Sequence, residues 1–111
     1  MSDAAAVPGT TRPLNLAVLG YGKMGKTIAQ LAPQRGFHVQ LVMDIDVNRD
    51  GAGITPENFR GIDVCLEFTE PKAAVENIRR VAAMGCNLVV GTTGWYDCLE
   101  EVRQTVKTSG I

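Results

Sequence analysis

The sequence predicts an α/β protein built on a doubly wound parallel sheet of about four strands. Three observations carry that prediction. From about Leu14 onward, short apolar runs alternate with amphipathic stretches, the pattern of β-α-β units joined by right-handed crossovers. The first apolar run, Leu14–Leu19, ends in Gly20-Tyr21-Gly22-Lys23-Met24-Gly25 and passes directly into a helical pattern. A later run, Leu88-Val89-Val90, ends in Gly91-Thr92-Thr93-Gly94, again ahead of a helical pattern.

The elements follow in order. Met1 to about Pro13 is rich in Ala, Gly, Thr and Pro without periodicity and is expected to be a flexible leader. Residues 14–111 form the domain. Its first strand is Leu14–Leu19. A helix from about Lys23 to Ala32 carries Ile28, Leu31 and Ala32 on one side, and Pro33 and Gly36 mark its end. A second strand, about His38–Met43, runs into Asp44-Ile45-Asp46. The polar segment Val47–Gly61 holds at most a short helix, with Thr55-Pro56-Glu57 as cap and first turn. The third strand is about Asp63–Phe68. Thr69-Glu70-Pro71 then opens a helix whose apolar side carries Ala73, Ala74, Val75, Ile78, Val81 and Ala82, stopped at Gly85. Asn87–Val90 is the fourth strand, and a last helix runs from about Tyr96 to Lys107, ended by Ser109-Gly110. In this architecture a further strand should begin near Ile111. The expectation is therefore a sheet truncated in mid-fold.

Composition narrows the function classes. Among 111 residues, 45% are hydrophobic and 21% charged, values of a globular core. A formal charge of −1 provides no basic field, which argues against nucleic acid as a partner. No apolar run reaches the roughly 18 residues of a membrane span, and the amino terminus has no signal-peptide pattern. Three cysteines, Cys65, Cys86 and Cys98, lack metal-type spacing and read as reduced thiols of a cytoplasmic protein. Cys65, inside Val64–Leu66, is expected in the core. His38, without an acidic or thiol neighbour in sequence, reads as a strand-entry residue.

The glycine turn carries the chemistry. A strand, G-x-G-x-x-G and a helix together form the Rossmann-like junction that receives the pyrophosphate of a dinucleotide. Gly20 permits the tight turn, Gly22 lets the backbone approach a phosphate, and Gly25 lets helix and strand pack closely. The exposed N–H groups at the start of the helix then face the anion. An acid about 20 residues past the last glycine should take the adenosine ribose hydroxyls. Asp44 and Asp46 lie 19 and 21 positions past Gly25, and strand alternation would put both on one face with Ile45 opposite; the alternative for either acid is a solvated acidic loop. Acids there disfavour a 2′-phosphate, while Lys23, Lys26 and Arg49 would compensate, so NAD and NADP both remain open as the cofactor.

In an open parallel sheet, ligands bind at the carboxyl ends of the strands. Gly91-Thr92-Thr93-Gly94 belongs to that edge: either its glycines allow close approach and its threonine hydroxyls serve a nicotinamide carboxamide, or it is an ordinary turn of small residues. Phe68 and Thr69 end the third strand at the same edge. There Phe68 either packs against a cofactor or fills core, and Thr69 either faces the cofactor, caps the following helix, or does both.

Gly20-Tyr21-Gly22-Lys23-Met24-Gly25-Lys26, Phe68-Thr69-Glu70-Pro71 and Val90-Gly91-Thr92-Thr93-Gly94-Trp95 together resemble the amino-terminal half of the 4-hydroxy-tetrahydrodipicolinate reductase (dihydrodipicolinate reductase) family. The resemblance runs from about Leu14 to Ile111, and its specific part is the Gly-Thr-Thr-Gly-aromatic segment following Phe-Thr-x-Pro. It implies NAD(P)H-dependent reduction of a cyclic unsaturated dicarboxylate in the diaminopimelate route to lysine, in an enzyme that assembles into oligomers. It places Gly20, Gly22, Lys23, Met24 and Gly25 along the pyrophosphate, Asp44 or Asp46 at the ribose, and Phe68, Thr69, Gly91 and Thr93 around the nicotinamide, with Tyr21 and Thr92 counted among the cofactor-binding residues. Two departures stand out. Glu67 occupies a position where the family more often has Asp, and the family's His-His-Arg-x-Lys segment is absent because it belongs to the carboxyl-terminal substrate domain, which the resemblance implies is missing; no residue is assigned as catalytic and the chain by itself is expected to be inactive. Two alternatives remain open: the cofactor domain of another oxidoreductase of this fold, of the amino-acid dehydrogenase type, or a non-catalytic NAD(H)-sensing module.

Overall fold

Four parallel strands lie side by side in the order β2-β1-β3-β4. The computed structural model describes residues 12–44 and 46–111. Along the chain the elements are β1 (Leu14–Leu19), α1 (Lys23–Leu31), β2 (Phe37–Met43), β3 (Val64–Glu67), α2 (Pro71–Ala83), β4 (Asn87–Val90) and α3 (Leu99–Ser109). This is the doubly wound, Rossmann-like architecture expected from the alternating pattern. The expected leader lies outside the described residues over positions 1–11. At its end, the guanidinium of Arg12 forms a forked pair with Asp63, Nη1 donating at 2.7 Å and Nη2 at 3.0 Å.

Strand alternation divides β1 between two cores. Leu16 and Val18 face α1 and pack with Ala32, Ile28, Phe37 and Val39. Ala17 and Leu19 face the other way, against Met43, Ile54, Phe59, Cys65, Val81 and Cys86. A strand apolar on both faces is what a sheet sandwiched by crossovers requires. Cys65 is fully buried there, and burial pushes its thiol well above the ordinary range. His38 is exposed on β2 and takes no part in the crevice described below.

Several boundaries differ from expectation for local reasons. α1 stops at Leu31 and continues as one 3-10 turn over Ala32–Arg35, because Pro33 near its start cannot donate to the helical ladder; Gly36 closes it at φ 85°. The segment expected to hold a short helix has only a 3-10 turn, Arg49–Gly51, and a single turn at Thr55, whose carbonyl accepts from Phe59 N at 3.0 Å. α3 begins three residues late, after a 3-10 turn over Tyr96–Cys98. Leu31, expected to face the core, is 45% exposed. It stands at the rim of an apolar groove that α1 leaves open over β3 and β4, floored by Val64, Leu66 and Val89. No described helix is long and apolar enough to cross a membrane.

The strand ends are in step. Met43, Leu19, Glu67 and Val90 form one row across all four strands. The ladder runs one residue further: Gly20 N donates to Met43 O (2.7 Å), Phe68 N to Leu19 O (2.9 Å) and Gly91 N to Glu67 O (2.8 Å). The glycine turn, Phe68 and the Gly-Thr-Thr-Gly loop thus emerge as neighbours along one edge.

Candidate functional site

A crevice of about 320 Å³ opens at this edge, lined by Gly20, Tyr21, Gly22, Asp44, Phe68 and Thr69, with Asn48 and Asn77 behind them. The turn that forms its floor is shaped by three different constraints. Gly20 adopts φ +93°, and a Cβ there would fall on the carbonyl of Phe68. Gly25 is buried against the carbonyl of Gly20. Gly22 is the opposite case, with nothing within 4 Å of where its Cβ would stand. The turn is closed to side chains below and open above.

That open space lies at the start of α1. No side chain caps this helix end, no acid occupies its first turn, and the first ladder bond runs from Lys26 N to Gly22 O at 3.0 Å. The N–H groups of Lys23, Met24 and Gly25 precede that bond, at the positive end of the helix dipole. This donor set suits an anionic ligand, and the missing Cβ at Gly22 leaves room for one. Lys26 adds positive charge nearby, its Nζ 5.5 Å from the centroid of the Tyr21 ring. Met24 is exposed.

The two acids separate. Alternation along a continuing strand would put Asp44 and Asp46 on one face, but β2 ends at Met43. Asp44 Oδ1 accepts from the N–H groups of Asp46 (3.0 Å) and Val47 (3.1 Å), an Asx-type turn that bends the chain away from the strand direction. Asp44 therefore stays at the crevice. Asp46, with a side chain 81% exposed, pairs with Arg49 at 3.4 Å. Ile45 lies outside the described residues.

Phe68 is wedged between the two glycine segments. Its carbonyl meets Gly20, and a Cβ on Gly91 would stand 2.0 Å from its ring. It is half-buried, so it serves both core and crevice. Thr69 does not cap α2; the residue at the N-cap is Glu70, without a side-chain cap bond. The Thr69 hydroxyl turns inward and donates to Glu67 Oε2. Thr92 is 7% exposed, and its hydroxyl likewise donates to Glu67, at Oε1, while accepting from Thr69 N at 2.7 Å. The expectation that both threonine hydroxyls of the loop face a carboxamide is thus corrected: Thr92 is spent on the protein, and Thr93 is the exposed one.

Glu67, Asn77 and Asn48 were not among the expected site residues. Glu67 is wholly buried at the end of β3. Its Oε2 accepts from Asn77 Nδ2 at 2.9 Å, and Asn77 Oδ1 accepts from Asn48 Nδ2 at 3.0 Å. One sequence signal pointed here: Asn77 lies on the apolar side of α2, flanked by Ala74, Ile78 and Val81. A polar residue at such a position needs a buried partner. Among the described residues, no cluster of His, Cys, Asp and Glu could hold a metal ion.

Comparisons with known proteins identify the family. A family model described as "Dihydrodipicolinate reductase, N-terminus" matches residues 14–111. The 4-hydroxy-tetrahydrodipicolinate reductase of Christiangramia forsetii is 35% identical over 94 residues, covering 85% of this chain and 37% of that protein. The enzyme of the same name from Bifidobacterium animalis subsp. lactis is 36% identical over 92 residues, covering 81% of this chain and 35% of its own. The chain thus spans little more than a third of the length of these relatives. Membership of this family implies NAD(P)H binding. The chain belongs to the dihydrodipicolinate reductase family and corresponds to its amino-terminal domain.

Proposed function

We propose that this chain is the cofactor-holding part of an NAD(P)H-dependent reductase acting on 4-hydroxy-tetrahydrodipicolinate, in the diaminopimelate route to lysine. The observation that carries the reading is the uncapped start of α1 facing open space at Gly22. The N–H groups of Lys23, Met24 and Gly25 hold the pyrophosphate there. Asp44, kept at the crevice by its own turn, accepts from the adenosine ribose. Phe68, Gly91 and Thr93 flank the nicotinamide, while Thr69 and Thr92 hold those segments in place through Glu67.

Bound reduced nicotinamide supplies a hydride. This chain's share of the work is to fix that ring against the strand ends and to keep water from its inner side. Turnover also needs a proton donor and a clamp for the dicarboxylate, and no residue of this chain is assigned to either. The chain alone is accordingly inactive. The three free thiols and the small net charge fit a cytoplasmic, self-associating enzyme that uses neither nucleic acid nor membrane as a partner.

Titration of NADH and NADPH against the backbone amide NMR spectrum tests the reading. Shifts centred on Gly22 and Gly25 are expected for a cofactor held through a helix start without contacts from a second domain, with affinity weaker than that of an intact enzyme. No perturbation there at millimolar cofactor overturns it. Substrate-dependent NAD(P)H oxidation by this chain at an ordinary enzymatic rate overturns the assignment of turnover to groups outside it.

A further inference from the structure

A buried hydrogen-bonded chain runs from Asn48, on the Asp44 side of the crevice, to the Gly-Thr-Thr-Gly loop after β4. Gly53 N donates to Asn48 Oδ1 at 3.0 Å, Asn48 Nδ2 to Asn77 Oδ1 at 3.0 Å, and Asn77 Nδ2 to Glu67 Oε2 at 2.9 Å. From Glu67 it branches to the hydroxyls of Thr69 and Thr92, and Trp95 Nε1 donates to Thr92 O at 2.6 Å. Its direction is fixed at both ends. A backbone N–H at Gly53 can only donate, so it takes the Asn48 oxygen and leaves the Asn48 amide N–H for Asn77. Glu67, at the other end, presents acceptors to three donors. Neither asparagine can reverse without setting donor against donor.

The chain joins segments that the sheet holds apart. Asn48 follows β2 and Thr92 follows β4, at opposite edges of the order β2-β1-β3-β4, so three strand spacings, roughly 14 Å, separate those edges. All three relay side chains are buried: Asn48 is 8% exposed, Asn77 1% and Glu67 0%. Burial makes each link costly to break singly.

We propose that Glu67, through Asn77 and Asn48, is a positioning residue that couples the adenosine rim of the crevice to the nicotinamide rim. Occupation of the Asp44–Asn48 side then sets the placement of Thr92 and the loop it anchors. The inference rests on the cofactor lying across the crevice as described above.

Trp95, the single tryptophan, is the reporter, because its indole N–H is bonded to Thr92. ADP is the probe: it carries the adenosine and both phosphates and no nicotinamide half. In the wild-type chain, ADP is expected to shift the Gly22 and Gly25 amides and also the Trp95 indole resonance. In Asn77→Ala, at ADP concentrations that saturate the Gly22 and Gly25 response, the indole shift is lost. Asn48→Asp, which still accepts from Gly53 N but cannot donate to Asn77, gives the same loss while keeping the side chain's shape. Glu67→Gln, which replaces one acceptor oxygen with a donor, weakens NADH several-fold more than ADP. A purely structural role lowers stability in these variants and leaves the indole response intact; that result, or a wild-type indole indifferent to bound ADP, overturns the proposal. Absence of any Gly22 or Gly25 response to ADP overturns the cofactor reading beneath it instead.

Discussion

A Cβ on Gly25 would stand 2.1 Å from the carbonyl oxygen of Gly20, so α1 is pressed onto the turn that opens it. The obstacle is backbone, which cannot swing aside. Alanine normally gains about 1 kcal/mol over glycine inside a helix; here the clash exceeds that gain, and Gly25→Ala is expected to destabilise by about 2 kcal/mol net. Gly22→Ala meets nothing within 4 Å and sits at extended φ −84° and ψ −155°, so it should fold normally. Its methyl group would occupy the space left for the phosphates. Thermal unfolding should therefore separate Gly25→Ala from wild type, and cofactor titration should separate Gly22→Ala.

Asp44 and Asp46 offer a second separation. Asp44 lines the crevice, while Asp46 points into solvent beside Arg49. Asp44→Asn keeps an oxygen for the Asp46 and Val47 amides but removes the charge that a ribose hydroxyl would meet. A charge-assisted hydrogen bond contributes about 1.5 kcal/mol, so NADH affinity should fall about tenfold, whereas Asp46→Asn should change it less than about twofold. Equal effects from the two substitutions, read by isothermal titration, would remove Asp44 from the ribose.

How far the sequence could be read follows from the range of the interactions. All four strands and three helices were legible because their signals are local: the apolar run of β1, the apolar side of α2, glycine stops at Gly36, Gly85 and Gly110. The glycine turn and the Gly-Thr-Thr-Gly loop were legible because backbone geometry demands those residue types. What failed was competition between local and tertiary bonding. Asp44 accepts from the amides of Asp46 and Val47, which turns the chain and parts the two acids that alternation would have put on one face. Thr69 abandoned a cap for Glu67, and Thr92 turned inward to the same carboxyl group. Glu67, Asn77 and Asn48 meet only after the sheet has formed, and no spacing in sequence announces a triad assembled from a strand, a helix and a turn.

Acid should weaken one fastening of the sheet. The Arg12 guanidinium, with help from the Asn15 N–H, holds the Asp63 carboxyl well below the usual carboxylate range, at about 2. A carboxylate whose pKa is depressed in the folded state stabilises above its ordinary value, near 3.8, and loses that contribution as pH falls through about 2. Wild type should thus exceed Asp63→Asn in melting temperature at pH 6, and the gap should close between pH 4 and pH 2. The pair is exposed, so the gap is small and shrinks in salt. A gap that persists unchanged at pH 2 would assign the effect to the backbone bond with Asn15 and not to charge.

The outer edge of β4 presents the last expectation. In the order β2-β1-β3-β4 this strand has a neighbour on one side only among the described residues, and Val89, 53% exposed, faces the apolar groove beside Leu31. An edge with free backbone groups next to uncovered apolar surface favours pairing with another chain. β4 has four residues, too few for extended stacking, so a dimer or other small soluble assembly is expected in preference to fibres. Val89→Lys places a charge on that face and should return the chain to monomer without disturbing the core, since the substituted side chain is already half in solvent. Sedimentation velocity of both proteins at concentrations up to on the order of 100 µM decides the matter. A wild-type chain that stays monomeric throughout shows that the edge is protected, and an assembly that survives Val89→Lys moves the contact to another surface.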